Sequence, residues 1–183
     1  MYNFFDKKFL IAVLVGFFLS FAFFYFLGNF NKSFCLNSAQ TIFSPNSKAK
    51  IIDLIKEAKN SIDLEMYILS DQDILNELEE SSLRGVKIRI ILEDRVDLEK
   101  LDRIANFLDQ KNIELRWASL DYKLSHSKFM IIDKKKVLIG SINFSKSALT
   151  SNREAALVLE GELVKDFLNA FEIDWQKARI IKN

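Results

Sequence analysis

Between Ser125 and Glu154 the sequence concentrates polar groups of several reactive types. It reads His126-Ser127-Lys128, four residues, Asp133, six residues, then Gly140-Ser141-Ile142-Asn143. Positions i and i+2 of a strand share a face, so an extended segment aims His126 and Lys128 the same way. If Ser141 and Asn143 are also extended, they repeat that arrangement. A turn at Lys134-Lys135-Lys136 then brings the two segments together as a hairpin. One pocket gathers an imidazole, an ammonium, a hydroxyl and a carboxamide. That set suits a phosphate: cationic and neutral donors stabilise its oxygens, and a neutral imidazole supplies a nucleophile. Asp133, at an odd offset from His126, falls on the opposite face of a continuous strand. It reads as structural, suited to fixing the lysine turn by side-chain hydrogen bonds.

The elements that must position these groups follow from hydrophobic periodicity. Ile51, Ile52, Ile55 and Ala58 have helical spacing behind a Ser47 cap candidate, and Ser61–Tyr67 alternates as a strand. Ile74, Leu75 and Leu78 predict a second helix that ends near Arg84-Gly85, followed by a β-branched strand at Val86–Leu92. Leu98–Leu108 reads as helix and Ile113–Trp117 as strand. Further strands are expected at Lys128–Ile132, Val137–Ile139 and Ala155–Leu159, and Val164, Phe167, Leu168, Phe171 and Trp175 form a closing amphipathic helix. Strands alternating with helices predict an α/β domain, layered α-β-α around a mostly buried mixed sheet.

The chain has 183 residues, one proline, one cysteine and one histidine. Its 49% hydrophobic content excludes a disordered chain, and a single cysteine excludes an internal disulfide framework. One cysteine with one histidine also excludes the usual Cys/His zinc sites. Eleven of the seventeen phenylalanines precede residue 35, and Phe9–Leu27 is uncharged throughout. As a helix that stretch spans roughly 28 Å, close to a bilayer core of about 30 Å. Lys7 and Lys8 on its amino-terminal side place that end in the cytoplasm and the rest of the chain outside it. A removed signal peptide is the competing reading, in which the product is secreted. The apolar stretch is long for one, and the best cleavage candidate, Asn37-Ser38-Ala39, is poor. Residues 1–33 therefore read as one transmembrane anchor and 34–183 as a single domain, extracytoplasmic on the periplasmic side of a bacterial inner membrane. Cys35 is a lone thiol just beyond the membrane, inert or able to link two chains.

The joint spacing of His126, Lys128, Asp133, Gly140, Ser141 and Asn143 resembles the HKD motif of the phospholipase D superfamily. Glu65-Met66-Tyr67, Arg84-Gly85-Val86 and Asn152-Arg153-Glu154 resemble that family's small bacterial nucleases, and the likeness runs from about residue 40 onwards. The resemblance implies that His126 attacks phosphorus to give a phosphohistidine, with Lys128, Ser141 and Asn143 holding the non-bridging oxygens. It implies that Glu154 orients the histidine and favours its productive tautomer. Asp133 and Gly140 are then motif residues of structural use. The scheme requires no metal or other cofactor. Asp63, Glu65, Glu93 and Asp94 could assemble a divalent-ion site, although strand-end and solvated charges describe them better.

A two-step displacement needs a nucleophile and a general acid. Family members with two motifs supply a histidine from each; this chain has one. The expectation is a homodimer with the active site on its two-fold axis. Local charge bears on the substrate. Residues 121–153 carry seven positive and two negative side chains, a net of +5, whereas residues 34–120 net −4 and residues 154–183 net −2. Lys123, Lys134, Lys146 and Arg153 are the candidate substrate-binding residues, forming a basic cleft along a polyanionic backbone. Trp117 fits the core, and Tyr122 is equally suited to core or to stacking an unpaired base. The expected activity is a sequence-nonspecific, metal-independent endonuclease on DNA, extending to RNA or favouring single strands. The alternative keeps the chemistry and acts on a phospholipid head group by hydrolysis or transfer. A noncatalytic phosphate-binding module is disfavoured, since binding alone does not need this nucleophile.

Overall fold

Aliphatic and β-branched runs become the central strands of one eight-stranded sheet. In the computed structural model, which describes residues 7–30, 36–96, 104, 105, 108 and 113–181, two compact units are seen, Met1–Phe34 and Cys35–Asn183. The strands are β1 (Leu36–Phe43), β2 (Ser61–Met66), β3 (Lys87–Leu92), β4 (Glu114–Trp117), β5 (Lys128–Ile132), β6 (Lys136–Gly140), β7 (Ala155–Gly161) and β8 (Arg179–Ile180). Their order across the sheet is β1-β7-β6-β5-β2-β3-β4-β8. β2, β3 and β4 run parallel, and every other neighbouring pair is antiparallel.

Among the described residues, the helices of this unit that can be bounded are α2 (Lys48–Glu57), α3 (Gln72–Leu83), α4 (Lys146–Thr150) and α5 (Val164–Lys177). α2 buries Ile51, Leu54 and Ile55, the i, i+3, i+4 stripe of an amphipathic helix. α3 starts where Asp71 accepts the Ile74 N–H and ends before Gly85, whose φ of 91° suits glycine. The two helices share a core with Ile62, Leu64, Ile90 and Met130. Across the sheet, Phe171 and Trp175 of α5 pack with Phe129, Ile131 and Val137. Period-two burial on both faces of β5 produces this three-layer arrangement, with every residue of that strand buried.

The expected α/β layering is present. Ser47 precedes α2 as expected but gives no side-chain cap; its hydroxyl donates to the Leu149 carbonyl instead. Strand β1, short α4 and two-residue β8 are additions that periodicity alone did not reveal. The helix expected at Leu98–Leu108, apart from residues 104, 105 and 108, lies outside the described residues, as does Cys35. The first unit contains α1 (Lys7–Phe30), a 24-residue helix. Phe9 and residues 11–25 are exposed. Among the described residues no helix is long and apolar enough to cross a membrane; the described side chains of α1 run unbroken only from Ile11 to Tyr25.

Candidate active site

One end of the sheet collects the chemistry. There β5 begins, β6 and β2 end, and β7 begins. β5 and β6 pair from Phe129↔Ile139 to Ile132↔Lys136, so the expected hairpin exists and its open end holds His126 on one arm and Ser141 on the other. His126 precedes the strand in the segment 124–127 rather than lying on it. It is exposed, and its ring meets the Tyr67 ring edge-on, with centroids 4.4 Å apart. Lys128, the first residue of β5, is 8% exposed. Its ammonium donates to the His126 carbonyl at 2.9 Å and lies 5.0 Å from the Tyr67 ring centre. Burial pushes its pKa down, and the Glu154 carboxylate opposes that push. A phosphate arriving beside it would add negative charge and favour the ammonium further.

Ser141 and Asn143 lie past the end of β6, in a segment that turns to a bridge between Phe144 and Leu69. Continuous extension through them is therefore not found. The Ser141 hydroxyl donates to Glu154 at 2.5 Å, and the Ser141 N–H donates to the Ala155 carbonyl at 2.9 Å. Asn143 keeps a buried side-chain oxygen with no protein partner among the described residues. Orphaned polar atoms of this kind are costly unless water or a ligand answers them. Gly140 is required by close approach. A Cβ there would stand 2.2 Å from the Ala155 carbonyl oxygen and 2.5 Å from the Ala156 Cα.

Glu154 departs from its expected role. Its carboxylate takes Ser141 and, at 3.3 Å, the Asn152 amide; His126 is not among its described hydrogen-bond partners. The reason is register. β7 starts at the next residue, Ala155, with Gly140 paired to Ala156, and the Glu154 N–H is pinned to the Ser44 hydroxyl at 2.8 Å, so the acid faces the exit of β6.

Asp133 does not fix the lysine turn. It stands at a φ of 51° and accepts the N–H groups of Lys59, Asn60 and Ser61 at 2.7–3.2 Å, tying the α2–β2 loop to the hairpin. Burial works to raise its pKa, and those backbone donors outweigh it, leaving the carboxyl below its ordinary value.

The candidate substrate-binding residues do not stay together. Lys134 occupies the closed end of the hairpin, roughly 13 Å of strand from the site. Lys136 is paired there with Glu57 at 2.8 Å and Glu160 at 3.4 Å. Adjacent numbering placed these lysines in the pocket; antiparallel pairing puts them at the other end. Lys123, Lys146 and Arg153 are exposed and lie in the segments at the catalytic end. Arg153 donates to the Ser44 carbonyl at 3.0 Å and stacks over Phe43. Tyr122 donates its hydroxyl to Asp174 at 3.0 Å, with Lys177 over its ring, so one face is covered. Trp117 packs partly buried against the core, as expected.

Glu65, Glu93 and Asp63 are buried, at 3%, 0% and 2% exposure, rather than solvated. Asp63 pairs with Arg89 at 2.7 Å, and Asp94 with Arg179 at 2.6 Å. Among the described residues no cluster of three or more potential metal ligands forms. Ser125 donates its hydroxyl to Glu65 at 2.9 Å and its N–H to Glu93 at 2.8 Å. Sequence reasoning missed these two acids as neighbours of the histidine segment; strand-end polar residues inside β-branched runs were the available signal.

Comparison with known proteins agrees with this architecture. The family described as Cardiolipin synthase, PLD-like domain, matches residues 51–175. The chain is 34% identical over 180 residues to Phospholipase D of Rickettsia prowazekii (strain Madrid E), covering 85% of this chain and 86% of the relative. It is 29% identical over 136 residues to Mitochondrial cardiolipin hydrolase of Mus musculus, covering 73% and 60%. The crystal structure of Nuc from Salmonella typhimurium, a phospholipase D family member, aligns with a TM-score of 0.74 at 29% identity, covering 80% of this chain and 99% of that one. With the motif residues gathered at one sheet end and the match spanning the layered domain, the chain belongs to the phospholipase D-like family and is a phosphodiester hydrolase of that superfamily.

Proposed function

We propose that the protein is a sequence-nonspecific endonuclease that cuts DNA through a phosphohistidine, without a metal, as a homodimer anchored to a membrane by α1. The observation that carries the reading is the meeting of His126, Lys128, Ser141 and Asn143 at one sheet end, beside the exposed cations Lys123, Lys146 and Arg153. In the first step an imidazole nitrogen of His126 bonds to phosphorus and the P–O bond to the leaving group breaks. Lys128, Ser141 and the Asn143 amide hold the non-bridging oxygens as charge develops. The leaving oxygen takes a proton from the second copy's His126. In the second step that imidazole removes a proton from water, which attacks phosphorus and releases His126. Glu154 acts on Ser141, holding its hydroxyl at the exit of β6.

The anchor reading rests on the uncharged run Phe9–Leu27 and on the exposed phenylalanines of α1. The catalytic domain then stands outside the cytoplasm. A phospholipid head group is the second reading, favoured by the relatives named Phospholipase D and Mitochondrial cardiolipin hydrolase. Full-length protein in detergent, offered single-stranded DNA, plasmid DNA and cardiolipin-containing vesicles, separates the two. DNA cutting that survives excess chelator supports the nuclease. Head-group or lipid cleavage without DNA cutting supports the alternative.

A further inference from the structure

The His126 ring is held by no hydrogen bond to a described side chain; its ring contact is the edge of Tyr67. Its aim therefore depends on the backbone that carries it, and that backbone hangs from two acids the phosphate chemistry does not use. Glu65 lies in β2, and Glu93 directly follows β3, the parallel neighbour of β2. Ser125, immediately before the histidine, is bound to both. The amino-terminal flank of His126 thus rests on Glu65 and Glu93 together.

The acids are held in different ways. Glu93 receives the Arg95 guanidinium on both oxygens, at 2.5 and 2.6 Å. The same guanidinium donates to the carbonyls of Tyr122 at 2.7 Å and Lys123 at 3.0 Å, closing the loop that leads to the histidine. Among the described residues Glu65 has no such cation. Burial raises its pKa, the Ser125 hydroxyl opposes that, and the Asp174 carboxylate adds to it. Its Oε1 accepts the Ser125 hydroxyl, and its Oε2 is buried with no hydrogen-bond partner among the described residues.

We propose that Glu65 and Glu93 are positioning residues for phosphodiester hydrolysis: by holding Ser125 they set the place of the His126 imidazole without touching substrate. This rests on His126 as the nucleophile. A misplacement of about 1 Å in such a group costs on the order of 100-fold in rate, so the effect belongs in kcat.

The test uses the full chain in detergent with bis(p-nitrophenyl) phosphate as probe and compares H126A, S125A, E65A and E65Q. S125A and E65A lower kcat by about 30–100-fold with KM within about threefold of wild type. E65Q keeps an acceptor and a donor and retains kcat within about threefold. The double variant S125A/E65A is no slower than E65A alone, because both changes break one link. Should E65A fail to fold, S125A, which removes only a hydroxyl, carries the comparison. Wild-type kcat in S125A beside an inactive H126A overturns the positioning role alone. An E65Q as slow as E65A overturns the role of Glu65 as the acceptor that holds Ser125. Full turnover by H126A removes the premise instead.

Discussion

Ser141 and Glu154 form one hydrogen-bonded corner: the hydroxyl donates to the carboxylate at 2.5 Å while the Ser141 N–H holds the Ala155 carbonyl at 2.9 Å. That corner fixes where the exit of β6 meets the entrance of β7. It exists because Gly140 lets the two backbones approach. G140V should therefore lose about 1–3 kcal/mol of stability or more, since backbone atoms rather than a flexible side chain stand in the way. A lowered urea midpoint accompanied by lost turnover is the expected result.

Asp133 predicts a stability that depends on pH. Its folded pKa lies below the ordinary value. The stabilisation it provides is therefore fully present above the unfolded value near ~3.9 and is lost as pH falls through the folded value. D133N should lower the urea midpoint at pH 7, because a half-buried carboxylate answering three N–H groups is replaced by a weaker acceptor. The gap between wild type and variant should narrow as the pH is taken down toward 3.

Much of this was legible in sequence because buried strands announce themselves. The runs at 62–66, 88–92 and 128–132 are apolar enough to place, and the motif spacing named the pocket. β1 was invisible because an edge strand with an exposed polar run, Asn37-Ser38-Ala39-Gln40-Thr41, lacks alternation. Lys134 was misplaced because linear charge counting cannot see that a hairpin sends its turn away from its open end. Glu154 was assigned to His126 by likeness, whereas strand register hands it to Ser141. Glu65 and Glu93 escaped as supports of the histidine segment because a carboxylate inside a strand names no partner until β5 is laid beside β2.

Lys128 offers a clean charge test. Its stem shares a cavity wall with Met66, Met130 and Phe144, so K128M preserves the packing and removes only the ammonium. The rate should fall by about 100–1,000-fold, the usual cost of one lost oxyanion donor. The urea midpoint should stay at or above that of wild type, because a partly buried charge has been exchanged for an apolar group.

A shared site makes activity depend on association. If each imidazole relies on a second copy, specific activity should fall on dilution in step with dimer dissociation measured by sedimentation. Mixing wild type with excess H126A should depress turnover by forming mixed pairs. With DNA as substrate, KM should also rise steeply with salt as phosphate contacts are screened.

The most direct measurement is DNA cutting by full-length wild type and H126A, side by side in excess chelator. The account predicts undiminished cutting by wild type, with phosphate trapped on His126 after rapid acid quench, and none by H126A. Cutting that vanishes with chelator and returns with magnesium, or that persists in H126A, would contradict it.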